Sequence, residues 1–308
     1  MSFRTDPATV TGSIAPLFTP FADDLSVDHD SLRRMVRWQL ANGSDGISIG
    51  GSTGEPSAQT VEERIAAIRT VADEIGGRVP FLPGTGSGSM AETIEMTKAA
   101  ADAGADMALI ITPYYAKPTQ EALYQWYARV CREFPDLPIV AYNVPTRTAV
   151  EIDPGTVGRL YEDFENFVGV KETTKDFEHF SRVKYEARDI LLWSGIELLC
   201  LPILAIGGSG FISALANIAP KAVAEMYDAA VGGDMATAID LHYRLTPLVD
   251  VLFVETNPAP AKWLMHEQGL ISSPNVREPL INLTADGLTK VRALVDKAPG
   301  LLTPVEID

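Results

Sequence analysis

From Ile14 to about Val231, short apolar runs alternate with longer stretches in which apolar residues recur every three or four positions. The runs SIAPLF (13–18), GISIG (46–50), VPFLPG (79–84), MALIIT (107–112), PIVAYN (138–143), FVGVKE (167–172), DILLWS (189–194) and GFIS (210–213) predict eight strands. Most are continuously apolar rather than alternating, as parallel strands covered on both faces are. Between them, Val61, Ile65, Ile68, Ala72 and Ile75 draw one stripe along a helix, and Thr60 followed by Glu63 predicts a capping box at its start. Leu123, Trp126, Tyr127, Val130 and Phe134 repeat the pattern, and Asp153-Pro154 predicts a further helix start with proline in its first turn. Eight strand–helix pairs over about 220 residues favour a closed (β/α)8 TIM barrel, an α/β fold, over an open doubly wound sheet. The chain therefore divides into a barrel carrying the active site, residues 1–231, and a C-terminal helical appendage packed on it, residues 232–308, which shows helical period and no convincing strand.

Composition narrows the function. At 308 residues, 46% hydrophobic and 21% charged, the chain can bury a large core. Its net charge of −16 repels polyphosphate and anionic lipid, so neither nucleic acid nor a membrane surface is expected as a partner. Cys131 and Cys200 lack the spacing of a metal or redox pair and read as buried thiols. No apolar segment follows the polar N-terminus, so a cytoplasmic protein is expected. Residues 198–219 carry no charge over a length that could cross a bilayer, but Pro202 and Gly207-Gly208-Ser209-Gly210 divide them into a buried helix and a buried strand.

In such barrels the chemistry lies at the C-terminal ends of the strands. Standing there are Ser52 and Thr53, Tyr114 and Tyr115, Tyr142 and Arg147, and Lys171. Lys171 alone among nine lysines terminates an apolar strand. An ordinary ammonium is neutral in about one molecule in 2,500 at pH 7, so a nucleophilic amine needs a desolvated site. A barrel mouth offers one, and lysine uses it to form a Schiff base with a carbonyl substrate. The alternative is a structural lysine paired with Glu172 or Glu55. Tyr142, one strand away, could move protons for such a nucleophile, and the hydroxyls of Thr53 and Tyr115 could extend the relay; a solvent-facing aromatic is the other reading of Tyr115. Arg147 could grip a carboxylate or stand as a solvated charge. The turn Gly50–Glu55 exposes backbone N–H groups suited to a small carboxylate. No lysine of a nucleotide loop follows it or Gly84–Gly88, the four histidines have no metal-ligand spacing, and no GxSxG elbow is present. No metal and no cofactor are expected.

GSTGE (51–55), TPYYAKPTQEALYQWY (112–127), AYNVPTRT (141–148), GVKETT (169–174) and NPAPAKWLMHEQGL (257–270) together resemble the dihydrodipicolinate synthase and N-acetylneuraminate lyase family of class I aldolases, in order and over nearly the whole chain. The resemblance implies that Lys171 forms an imine with pyruvate and that Tyr142 assists proton transfer. Closest is the synthase branch: its Thr-Thr pair matches Ser52-Thr53, its second relay tyrosine matches Tyr115, which reaches into a neighbouring subunit's site, and its carboxylate-binding arginine matches Arg147. Gly195 and Ile212 complete the implied substrate-binding set, and a homotetramer built from dimers is implied. The branch's Gly-Asp-Asp is replaced by Gly195-Ile196-Glu197, and its effector-pocket positions hold Val61, Arg64 and Gly88, which implies weak or absent feedback by lysine. The expected reaction joins pyruvate to aspartate semialdehyde. Next come a catabolic aldolase releasing pyruvate and succinic semialdehyde, then a sugar-acid lyase or dehydratase. The reading of another class is a non-catalytic ligand-binding barrel, against which Lys171, Tyr142 and Thr53 together argue.

Overall fold

The computed structural model describes residues 3–306. Seven strands, β1 (Gly12–Pro16), β2 (Gly46–Ser48), β3 (Ala108–Ile111), β4 (Ile139–Asn143), β5 (Phe167–Glu172), β6 (Leu191–Ser194) and β7 (Gly210–Ile212), form one sheet. All pairings are parallel, and the order is β2-β1-β7-β6-β5-β4-β3. The predicted strand at 79–84 is not continuous. Pro80 and Pro83 have no N–H to give a ladder, which leaves single bridges from Phe81 to Ile47 and from Gly84 to Leu109. Those bridges join the two edges of the sheet: Leu82 donates to the Ile47 carbonyl at 2.9 Å, and Leu109 donates to the Pro83 carbonyl at 2.9 Å. The expected barrel is present, closed by a proline-interrupted segment.

Helices α1 (His29–Ala41), α2 (Val61–Ile75), α3 (Met90–Asp102), α4 (Gln120–Glu133), the single turn α5 (Pro145–Thr148), α6 (Pro154–Asp163), α7 (Phe177–Glu186), α8 (Cys200–Leu204) and α9 (Pro220–Val231) alternate with the strands. After α9 come α10 (Met235–Leu252), α11 (Ala259–Glu267) and α12 (Ala285–Val295), with no strand among the described residues. The uncharged stretch around residue 205 resolves into short α8 and β7, and no described helix is long and apolar enough to cross a membrane.

The capping box forms: Glu63 N–H donates to Thr60 Oγ1 at 3.2 Å, and Thr60 N–H donates to the Glu63 carboxylate at 3.0 Å. The buried face of α2 is rotated from the predicted stripe. Arg64, Ala67, Ile68, Val71 and Ile75 are buried, while Val61, Ile65 and Ala72 are half-buried. A guanidinium on the buried face is what the apolar pattern could not show. Cys131 and Cys200 are both buried and free, and burial pushes the Cys131 thiol up to about 12.

Two apolar layers result. One lies between sheet and helices and includes Phe18, Val36, Tyr127 and Phe167; the other fills the barrel and includes Ile14, Leu82, Val140, Tyr142, Trp193 and Ile212. Gly169 on β5 admits the Trp193 indole, because a Cβ there would stand 2.6 Å from its Cζ3. Strand alternation then turns Lys171 into the barrel and its neighbour Glu172 outward toward α7. The fully buried Glu172 carboxylate accepts from Asn143 Nδ2 at 3.0 Å and from the N–H groups of Thr173 and Thr174 at 2.9 and 3.0 Å. His179 Nε2 stands 3.2 Å from its second oxygen, and Nδ1 stands 3.4 Å from Glu151.

Burial pulls the His179 pKa down, but Glu172, Glu151 and Asp176 outweigh it and leave it raised. A raised folded-state pKa means that the protonated imidazolium contributes stability in full below the unfolded value of about 6.5, and that this contribution disappears as pH rises through the higher folded value. His179→Gln is expected to lose stability relative to the natural chain at pH 5.5, with the deficit shrinking above neutrality. Urea midpoints of both chains between pH 5.5 and 8.5 measure it, and a deficit that is constant or grows with pH contradicts it.

Candidate active site

Adjacent strand ends bring the site together through their register. Tyr142 on β4 pairs with Lys171 on β5, which pairs with Trp193 on β6. With side chains perpendicular to the sheet, all three point inward at one level. Lys171 is 5% exposed, and its Nζ lies 4.3 Å from the centroid of the Tyr142 ring. The Tyr142 hydroxyl in turn meets Ser52 Oγ at 3.3 Å. Beyond β6, Gly195 leaves room for the lysine stem: a Cβ there would approach Lys171 Cε to 2.7 Å and Thr173 Oγ1 to 2.6 Å.

The structural alternative for Lys171 fails on partner allocation. Glu172 is committed to Asn143, backbone amides and His179 on the other side of the strand. Glu55 is committed to Lys262, a fully buried lysine of α11 whose Nζ lies 2.5 Å from Glu55 Oε1. Burial pulls the Lys262 pKa down while Glu55 resists. Among the described residues no carboxylate lies within ion-pairing distance of Lys171.

Lys171 opens into a cavity of about 680 Å³, also lined by Ser52, Thr53, Tyr142, Arg147, Gly195 and Ile212. Seven of the eight residues given a catalytic or substrate-binding role from the sequence therefore share one cavity. Ser52 and Thr53 begin a one-turn 3-10 helix, Ser52–Gly54, and the N–H groups of such first positions have no acceptor within their own turn. Arg147 sits on α5, exposed and without an ion-pair partner among the described residues, directly after the Tyr142 strand. Tyr115 is the exception: it is 95% exposed, takes a left-handed backbone conformation and lines no part of the cavity in its own chain. A second cavity of about 240 Å³ adjoins the first through Ser52, Tyr142 and Arg147, and is walled by Arg64 and Tyr114. Arg64 Nη2 donates to the carbonyls of Gly84 and Gly86 at 3.3 and 3.2 Å.

Three features of the site are not legible in the sequence. Glu197, buried in the wall of the larger cavity, accepts from the Ala214 N–H at 3.1 Å, and burial pushes its carboxyl above the usual range. Lys175 adds a third cation to the cavity beside Lys171 and Arg147. Asn257, from the connection between α10 and α11, donates from Nδ2 to Thr53 Oγ1 at 3.0 Å. The motif around Asn257 is visible in the chain, but nothing in local periodicity links it to a turn two hundred residues earlier.

The model of the dihydrodipicolinate synthetase family matches residues 9–298. The 4-hydroxy-tetrahydrodipicolinate synthase of Thermus thermophilus is 45% identical over 287 residues, 93% of this chain and 95% of the relative. That of Methanopyrus kandleri is 41% identical over 295 residues, 95% and 97% of the two chains. Among solved structures, the chloride-inhibited dihydrodipicolinate synthase of Acinetobacter baumannii complexed with pyruvate superposes with a TM-score of 0.91 at 38% identity, covering 96% of this chain and all of that one. With the barrel, the inward lysine at the end of β5 and these matches in hand, the chain belongs to the dihydrodipicolinate synthetase family.

Proposed function

We propose that the protein joins pyruvate to L-aspartate semialdehyde, and that Lys171, Tyr142, Thr53, Ser52 and Arg147 carry the reaction. Members of the family are class I lyases that work through a lysine Schiff base, and this chain is one of them. The observation that carries the residue assignment is the setting of Lys171: it is buried at the strand end, against the Tyr142 ring, with no carboxylate within ion-pairing distance among the described residues.

In this reading the Lys171 amine attacks the keto carbon of pyruvate, forming a carbinolamine that loses water to give an imine. The N–H groups of Ser52 and Thr53 hold the pyruvate carboxylate. Loss of a methyl proton gives an enamine, whose carbon adds to the aldehyde carbon while the aldehyde oxygen takes a proton. Tyr142 moves these protons with the Ser52 hydroxyl that it meets, while the Thr53 hydroxyl, expected from the sequence to extend the relay, is held by Asn257 Nδ2 at 3.0 Å. The Arg147 guanidinium holds the carboxylate of the acceptor. The acceptor's amino group then closes a ring on the imine carbon and displaces Lys171. Succinic semialdehyde lacks that amino group, so its adduct leaves Lys171 only by hydrolysis. The apolar Ile196 in the cavity wall is what keeps this second acceptor in consideration. Pre-organisation inside the cavity supplies much of the rate.

We place the protein in the cytoplasm as a homotetramer built from dimers. Support for association comes from Tyr115, an aromatic that its own chain leaves almost uncovered in a left-handed backbone conformation. There it would enter the site of a second copy and extend its proton relay.

Turnover of pyruvate with each semialdehyde tests the acceptor. Aspartate semialdehyde is expected to give kcat/KM at least about tenfold above succinic semialdehyde, and Arg147→Ala is expected to raise the acceptor KM about 10- to 100-fold with the pyruvate KM little changed. A preference for succinic semialdehyde would reassign the protein to cleavage of its longer 2-oxo acid. Tyr142→Phe, which keeps the ring over Lys171 and removes the hydroxyl, is expected to lower kcat by about 10²- to 10⁴-fold. Steady-state assay of this variant at near-natural kcat would remove Tyr142 from the relay.

A further inference from the structure

The acceptor carries an amino group as well as a carboxylate, and Arg147 answers only the second. We propose that Glu197 is the catalytic residue that holds the acceptor's ammonium and takes its proton when the ring closes on the imine carbon. The inference rests on the acceptor reading above and goes beyond it in naming the group that tells aspartate semialdehyde from an aldehyde without nitrogen.

Strand order sets the frame. Arg147 follows β4, Lys171 lies near the end of β5 and Glu197 follows β6, so the lysine's strand stands between those that carry the guanidinium and the carboxyl. All three residues line the large cavity. Its lining holds the cations Lys171, Lys175 and Arg147 against two carboxylates, Glu197 and Asp250. Asp250 is exposed on α10, whereas Glu197 is 7% exposed. An ammonium drawn out of water needs an anion beside it that is itself withdrawn from water, and among the lining residues Glu197 alone meets that need.

The turn that carries Glu197 is fixed from both sides. The Gly195 N–H donates to the Glu172 carbonyl at 2.8 Å, and Ser194 Oγ donates to the Ile196 carbonyl at 2.9 Å. Glu197 then opens a one-turn 3-10 helix, Glu197–Leu199, and its Oε1 accepts the Ala214 N–H at 3.1 Å from the loop after β7. That contact holds the carboxyl in the cavity wall by one oxygen. Burial pushes it above the usual carboxylate range, against its own N–H, the Ala214 N–H, Lys171 and Ser213. Such a carboxylate binds a proton more tightly than an exposed one, as a base for an ammonium must. Cys200 on α8, the titratable neighbour beneath it, stays a neutral thiol because burial pushes it up.

The ring-closing step balances on this one base. The Glu197 carboxylate takes a proton from the ammonium, and the freed amine adds to the carbon of the protonated imine. One of the two protons left on that amine passes to the Lys171 nitrogen, the bond from carbon to Lys171 breaks, and Lys171 leaves as a neutral amine. The ring nitrogen keeps the other proton together with the new double bond, and Glu197 afterwards gives its proton to water. An acceptor without nitrogen asks nothing of Glu197.

Glu197→Gln keeps an oxygen for the Ala214 N–H and removes the charge and the base. At saturating pyruvate it is expected to lower kcat/KM for aspartate semialdehyde about 10- to 100-fold and to change that for succinic semialdehyde less than about threefold. Borohydride trapping of pyruvate on Lys171 should stay at the natural level. Quenched with borohydride during turnover on aspartate semialdehyde, the variant should build up the joined pyruvate–semialdehyde adduct on Lys171 beyond its share in the natural protein. Equal losses with both aldehydes, an unchanged preference, no build-up of the joined adduct, or the same selective loss in Asp250→Asn would overturn the inference. Should Glu197→Gln fail to fold, Glu197→Asp, which withdraws the carboxylate by one methylene, decides: a selective loss with aspartate semialdehyde supports the inference and an unchanged preference overturns it. A natural protein that prefers succinic semialdehyde would instead defeat the acceptor reading itself.

Discussion

A lysine amine turned into the barrel with no carboxylate within ion-pairing distance among the described residues is the constraint on which the rest of this structure depends. Burying a cation is costly unless a partner compensates it, and the carboxylates adjoining it in sequence or in the neighbouring turn are engaged elsewhere. Glu172, one residue along the strand, faces the opposite side and is saturated by Asn143, backbone amides and His179. Glu55 is held by Lys262. What surrounds Lys171 instead is the Tyr142 ring, the Trp193 floor and the space left by Gly195. The same fold thus uses two buried lysines in opposite ways, Lys262 as half of an ion pair and Lys171 as a group left free to react.

The charge pattern follows the same logic. A chain of net charge −16 is a poor surface for anionic substrates, yet the cavity mouth gathers Lys171, Lys175 and Arg147. Local cations in a walled cleft focus the field where it is needed despite the overall sign. The C-terminal segment, which looks like a lateral addition to the barrel, reaches the same cavity from behind. Through Asn257, Lys262 and Arg277 it fixes the Gly50–Glu55 turn in the cavity wall, so the appendage and the site are one mechanical unit.

Much of this is legible in the sequence because parallel strands covered on both faces are written as apolar runs, and a lysine ending such a run is conspicuous. FVGVKE maps onto β5 without error, and Thr60 with Glu63 forms the capping box its spacing announces. The run at 79–84 reads as a strand for its apolar content, but two prolines cut its ladder to bridges while leaving it to close the barrel. The apolar stripe on α2 passes through Val61 and Ile65, whereas the core face runs through Arg64, because a long side chain can bury its charged end against carbonyl oxygens. Glu197 and Asn257 escape a sequence reading for a different reason: their importance arises from contacts distant in sequence, with Ala214 and Thr53. Tyr115 shows the limit of a single chain, since its implied place in the relay lies in another copy.

Covalent capture tests the central claim most directly. The native protein incubated with pyruvate and borohydride, then digested and mapped by mass spectrometry, should carry one reduced pyruvate adduct, on the peptide containing Lys171, with activity lost in proportion. The buried but paired Lys262 should remain unmodified. A fully active protein with an unmodified Lys171 peptide, or an adduct on a different lysine, would contradict the account.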